Sequence, residues 1–306
     1  MLTEASTSPM PSGPLAAAAA YILWGLFPLY IKQVQQVPAL EVVAHRSAWS
    51  LAVVAVLLLA LRRLAWLGAV LRQPRALAAF ALSALLLSAN WLLYVWAVNH
   101  DHLLDASLGY FINPLVNVML GYAVLHERPR PVQWAAVGLA AAGVLWLALG
   151  ADHVPWVSLA LAASFGLYGL LRKTAALGAL EGLALETLLQ APLAVGYLLW
   201  LAAQGQGHFA QGDRHLDLLL LLGGPFTAVP LLLFAFGARR VTLATLGLLQ
   251  YLGPTIQFML GIWLYHEAFS WQRGIGFALI WSALLVYSAE SWRLMRQGRP
   301  AAAPAR

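Results

Sequence analysis

Cysteine is absent from this 306-residue chain. That excludes disulfides, thiolate metal ligands and thiol nucleophiles. Charge is nearly as scarce. Only 10% of the residues are Asp, Glu, Lys or Arg, against about 25% in a soluble domain. Two catalytic signatures are also missing. No Gly-x-x-x-x-Gly-Lys phosphate loop occurs, and neither His126-Glu127 nor His266-Glu267 continues to His-Glu-x-x-His. Those two pairs read as polar helix ends, and no cofactor, metal or enzymatic site is expected. The first fourteen residues contain no Lys or Arg. A cleavable signal peptide needs a basic start, so the first apolar run is expected to be a retained span.

What is present is apolar: 61% of the chain, with a mean hydropathy of +0.75. No soluble core could hide that much apolar surface, so the expected solvent is the lipid bilayer. A helix needs about 20 apolar residues to cross it. Runs of that kind lie near 15–31, 41–61, 76–98, 103–125, 131–149, 154–171, 180–203, 216–238, 242–265 and 271–291. They are continuously apolar rather than alternating, which favours helices over a barrel. The net charge of +6 does not point to nucleic acid, because the basic residues sit in short clusters between runs, where they set topology.

With the N-terminus placed in the cytoplasm, the inner loops and C-terminal tail hold fourteen cations. These are Arg62, Arg63, Arg72, Arg75, Arg128, Arg130, Arg172, Lys173, Arg239, Arg240, Arg293, Arg296, Arg299 and Arg306. The outer loops hold three: Lys32, Arg214 and Arg273. Only Arg46 falls inside a span. This bias predicts an integral multi-pass protein of the plasma (bacterial inner) membrane with both termini cytoplasmic.

The chain also repeats itself. Ala39-Leu40-Glu41 recurs 140 residues later as Ala179-Leu180-Glu181, and PLVNVMLGYAVLHE from Pro114 recurs as PTIQFMLGIWLYHE from Pro254. Six of those fourteen positions are identical. Each half holds five runs. Five is odd, so the second half enters from the opposite face. The expected fold is an all-α membrane protein of ten transmembrane helices, built as two inverted five-helix repeats. The expected divisions are a disordered tail at 1–14, repeats at 15–150 and 151–292, and a basic tail at 293–306. Such a duplication places a transporter's site between the halves.

Polar residues within the spans are the site candidates. His45 and Arg46 lie near the outer end of the second run. Either Arg46 snorkels to the headgroups, or the pair lines an aqueous cavity in which His45 relays protons. The repeat counterpart of Arg46 is Glu186, which lies too near the opposite face to pair with it. Asp105 is the better partner for Arg46, and Glu186 has no evident one, which suits a proton carrier. Tyr110, Asn113, Pro114 and Asn117 share one helical face. Gln250, Tyr251, Pro254 and Gln257 mirror them. Proline recurring at matching places predicts paired helix breaks at a binding site. The alternative is that these amides merely bond helices together. Asn90, Trp91 and Tyr94 add a polar-aromatic patch whose copy is Pro230, Leu231 and Phe234. The patch is therefore not symmetric, which favours a role with substrate. Trp24 is a further cavity candidate; most of the other tryptophans read as span-end anchors.

These stretches resemble RarD-type permeases of the EamA family, in the drug/metabolite transporter superfamily. The resemblance runs from about residue 15 to 292. It rests on Leu23-Trp24-Gly25, Pro28-Leu29-Tyr30, Ala44-His45-Arg46, Trp49-Ser50, Asn90-Trp91, the stretch from Ala106 to Leu115, Ser164-Phe165-Gly166-Leu167-Tyr168, and the stretch from Gln250 to Thr255. It implies a ten-helix inner-membrane permease. The family label is tied to chloramphenicol sensitivity, which names no physiological substrate.

The expected function is secondary-active transport of a small organic solute, a metabolite or drug, coupled to protons and working by alternating access. Expected partners are that solute, the bilayer and protons, with oligomeric state left open. The alternative is a polytopic enzyme or lipid-handling protein acting on a headgroup. Carboxylates clustered at one membrane face would favour it, and the chain lacks them.

Overall fold

A computed structural model describes residues 12–99, 103–149, 156–264 and 271–296. Among these, all regular structure is helical. The helices are α1 (Ser12–Gln33), α2 (Ala39–Ala60), α3 (Ala65–Val70), α4 (Pro74–Asn99), α5 (Leu103–Ala123) and α6 (Pro131–Ala148). They continue as α7 (Trp156–Thr174), α8 (Ala179–Ala203), α9 (Arg214–Ala238), α10 (Leu243–Gln250), α11 (Leu252–Trp263) and α12 (Trp271–Arg296). Each long run read from the sequence is helical. Eight segments are long and apolar enough to cross a membrane: six lie within α1, α2, α4, α6, α8 and α9, one joins α10 to α11, and one lies in α12. The short α3 lies between α2 and α4.

Local chemistry sets the helix ends. Asp213 Oδ1 accepts from the amides of His215 (3.0 Å) and Leu216 (3.1 Å), which caps α9. Thr242 caps α10 by accepting from the Thr245 amide at 3.1 Å. Large apolar side chains point outward, among them Leu193, Leu285, Leu85 and Met119. A soluble protein does not clothe itself this way, whereas lipid welcomes it. Trp263 and Trp271, beside helix ends, are also exposed.

The interior is built by close helix approach. α2 packs on α8 and α9, α5 on α7 and α10, α1 on α9 and α11, α4 on α7, and α6 on α12. Glycines make such close contacts possible, two of them at the α2–α9 and α5–α10 crossings. A Cβ on Gly224 would fall 2.6 Å from Trp49, and one on Gly247 would fall 2.6 Å from the Pro114 carbonyl oxygen. Small residues at such crossings are what let helices in lipid touch backbones.

The expected pair of helix breaks is not a pair. α10 ends at Gln250 and α11 begins at Leu252, so the second copy is interrupted, at Tyr251. Pro254 sits in the first turn of α11, where its missing N–H has no intrahelical partner to lose. Pro114 lies inside α5, which stays continuous. Neighbours hold it straight: Asn113 Nδ2 donates to the Ala162 carbonyl of α7 at 2.6 Å, and Gly247 of α10 abuts Pro114 itself. Packed neighbours are what make an intramembrane proline tolerable.

Candidate functional site

Arg46 projects from α2 into the middle of the bundle. Its Nε donates to Thr227 Oγ1 of α9 at 2.9 Å. The guanidinium lies 4.4 Å from the ring centre of Phe27 (α1) and 5.1 Å from that of Trp91 (α4). Tyr30, Tyr94 and Tyr110 are close enough to interact with its charge. The rings of Tyr94 and Tyr110 meet at 5.9 Å. Gly223 makes room for this arrangement, since a Cβ there would meet Tyr30 Oη at 2.7 Å and Arg46 Cγ at 3.0 Å. Arg46 is surrounded by protein yet keeps accessible surface, and Tyr110 keeps 38% of its own. Among the described residues no carboxylate pairs with Arg46. The side chain of Asp105, the expected partner, lies outside the described residues.

The amides form a second, drier cluster. Asn117 Nδ2 donates to Gln250 Oε1 at 3.0 Å and to Asn113 Oδ1 at 3.2 Å. Asn90 Nδ2 donates to the Leu161 carbonyl and to Ser164 Oγ, both at 2.9 Å. Tyr251 Oη donates to the Phe111 carbonyl at 3.2 Å. All five residues are buried, and apart from the Asn117–Asn113 bond inside α5 their bonds run from helix to helix. Gln257 Nε2 reaches the Trp24 carbonyl at 3.2 Å, tying α11 to α1. Trp24 itself packs against Tyr21, Phe165 and Phe234. The sequence-predicted residues thus divide. Trp91, Tyr94 and Tyr110 gather around Arg46, while Asn90, Asn113, Asn117, Gln250 and Tyr251 join helices beside it.

Glu186 has a partner after all. Its carboxylate lies 3.6 Å from Arg172 Nη1, and the two side chains are 0% and 1% exposed. Ser83 Oγ of α4 donates to it at 2.5 Å. Arg172 also donates from Nη2 to the Ala179 carbonyl at 3.1 Å. The sequence reading had placed Arg172 and Lys173 in a loop. Both belong to the last turn of α7, turned inward. Lys173 Nζ lies 3.5 Å from Glu127 and donates to the carbonyls of Ala238 (3.3 Å) and Val241. Glu127 in turn accepts from the Leu243 amide at 2.8 Å, at the start of α10. It is a buried cap on a different helix, beyond the end of its own. A carboxylate there also meets the positive end of the α10 dipole. His126 is exposed; His266 and Glu267 lie outside the described residues.

His45 is buried beside Glu41, 3.9 Å from its Oε1, and its Nδ1 accepts from Trp49 Nε1 at 3.2 Å. Glu41 is held from the other side by His208, whose amide donates at 2.7 Å and whose Nδ1 lies at 2.8 Å. The connection between α8 and α9 is thereby latched onto α2. Sequence reading missed Phe27, Tyr30, Thr227, Glu41 and His208. The first three carry no unusual signal in an apolar, aromatic chain. Glu41 did recur within the repeated Ala-Leu-Glu, which was the available clue. A separate cleft of about 360 Å³ between α1, α2, α8 and α9 is walled by Ala16, Leu57, Leu180, Leu232 and Phe236. With no polar side chain it offers a solute no specific bond.

Comparison with known proteins agrees with this architecture. Residues 11–149 match the EamA-like transporter family. Protein RarD of Streptomyces exfoliatus is 49% identical over 96% of this chain and 94% of its own length. The uncharacterized transporter YojE of Bacillus subtilis (strain 168) is 46% identical over 90% and 93%. Protein RarD of Escherichia coli (strain K12) is 44% identical over 90% and 93%. One protein crystal structure shares the fold, with a TM-score of 0.71 at 23% identity, covering 92% of this chain and 98% of the other. Apolar helices of spanning length, an interior built from paired charges and likeness along nearly the whole chain converge, and the chain belongs to the EamA-like transporter family as a RarD-type permease.

Proposed function

We propose that this chain is a secondary transporter that moves a small organic solute through the Arg46 cavity by alternating access. The observation that carries the reading is where the cavity walls come from. Phe27, Arg46, Trp91 and Tyr110 belong to the first half, and Thr227 to the second. A site shared between halves opens to one side or the other as one bundle rocks against its partner.

The packing supports ten spans in two inverted repeats. α5 on α7 is matched by α11 on α1, α4 on α7 by α9 on α1, and α2 on α9 by α8 on α4. The remaining main contacts, α2 with α8, α5 with α10 and α6 with α12, join equivalent helices. Both termini are placed in the cytoplasm, so reporters fused at Gln297 and within residues 204–215 should report opposite sides.

Proton movement drives the cycle in this reading, with Glu186 and His45 as the titrating groups. Asn90, Asn113, Asn117, Gln250, Tyr251 and Gln257 stand around the solute path, and the break at Tyr251 gives the second half a hinge. Uptake into liposomes, screened across metabolites with and without a pH gradient, tests the whole. Gradient-dependent accumulation of a solute is expected. Glu186→Gln should then lose accumulation and keep exchange at equal concentrations. Full accumulation by both Glu186→Gln and His45→Gln would remove these groups from the coupling.

A further inference from the structure

The interior cations of this protein are not treated alike. Arg172 faces Glu186 at 3.6 Å, and Lys173 faces Glu127 at 3.5 Å. Arg46 differs from both: among the described residues it has one hydrogen bond, through Nε to Thr227, and no carboxylate. A guanidinium carries five N–H donors in a planar fork. Four of these, on the two Nη atoms, find no acceptor among the described residues.

An enclosed charge without a counter-ion costs several kcal/mol. Cation–π contacts with Phe27 and Trp91 offset only part of that, at about 0.5–2 kcal/mol each. The unused Nη edge fits two parallel oxygens, as a carboxylate presents them. Around it stand Phe27, Trp91, Tyr94 and Tyr110, flat and largely apolar surfaces suited to a planar body.

We infer that the solute is a small organic carboxylate with an aromatic or otherwise planar body, its carboxylate held by the Nη edge of Arg46 and its body by the surrounding rings. This deepens the transporter reading and rests on it for the word solute; the binding site stands or falls by itself.

The test uses purified full-length protein with benzoate and phenylacetate against benzamide and benzylamine. Binding is followed by tryptophan fluorescence, since Trp91 borders the site, and by thermal stabilisation. The carboxylates should bind at least about tenfold more tightly than benzamide, the benefit of one strong charge-assisted pair. Arg46→Gln should erase that preference, and Arg46→Lys should keep part of it. Equal binding of benzamide or benzylamine by the wild type overturns the inference and needs no variant. So does a preference that survives in Arg46→Gln, or the absence of binding by any of the four probes. Chloride or phosphate displacing benzoate at matching concentrations would reduce the site to an inorganic-anion site and overturn the organic class. Carboxylate binding without any uptake into liposomes would uphold the site while sinking the transporter reading.

Discussion

Arg46 and Glu186 occupy the same register in the two halves, 140 residues apart, and their surroundings are opposite. Around Arg46 the neighbours are rings and a single hydroxyl, with accessible surface left over. Around Glu186 there is a cation, a serine hydroxyl and no accessible surface at all. The Arg46 position keeps accessible surface, and the Glu186 position is closed by an internal counter-ion.

The sealed side should be the more sensitive to loss of a partner. Glu186→Leu leaves Arg172 buried without its counter-ion and should cost about 3–5 kcal/mol of stability. Unfolding midpoints in detergent would show it. Pairing that change with Arg172→Met should recover most of the loss, because replacing both ions by apolar groups is near neutral. A double variant as unstable as the single one would mean that Glu186 is held by something other than Arg172.

Next in size is the helix crossing that positions Arg46. Gly224→Val drives a side chain into Trp49 and should cost about 1–3 kcal/mol by overpacking. Solute binding should weaken along with it, because α9 carries Thr227. Unchanged stability would show that α2 and α9 do not approach this closely in the membrane.

Asn113→Ala removes the bond to Ala162 and one support of Asn117. A loss of about 1–2 kcal/mol is expected, with weakened solute binding if the amide lies on the solute path. Wild-type affinity in a destabilised Asn113→Ala would make this cluster a helix fastener alone. The smallest effect belongs to Arg46→Gln. Its stability should stay within about 1 kcal/mol of wild type or rise, because no carboxylate among the described residues is orphaned. A large loss of stability would mean that Arg46 is paired internally, and the contrast with Glu186 would collapse.

The helices were legible because lipid demands long apolar runs and tolerates few interruptions. Arg46 was legible for the same reason: a charge in such a run stands out. Its environment was legible only in part: Trp91 and Tyr94 stood out as a polar-aromatic patch, while Phe27 and Tyr30 look like any other aromatics until their helices are assembled. Arg172 was misread for a physical reason. A cation at the end of an apolar run satisfies the positive-inside pattern whether it faces water or turns inward to Glu186. The helix break was half legible. Pro254 marked the right turn, but the break falls at Tyr251, because a proline starts a helix more easily than it stops one. Pro114 carried the same signal and produced no break, since α7 and α10 brace it.

The central claim is that the cavity beside Arg46 serves both sides of the membrane in turn. The chain has no cysteine, so Tyr110→Cys provides a unique thiol in the cavity wall. A membrane-impermeant maleimide can be offered from either face of sealed, oriented vesicles. Alternating access predicts labelling from both faces, because each conformation exposes the same wall in turn. Labelling from one face alone, or from neither, would contradict the account.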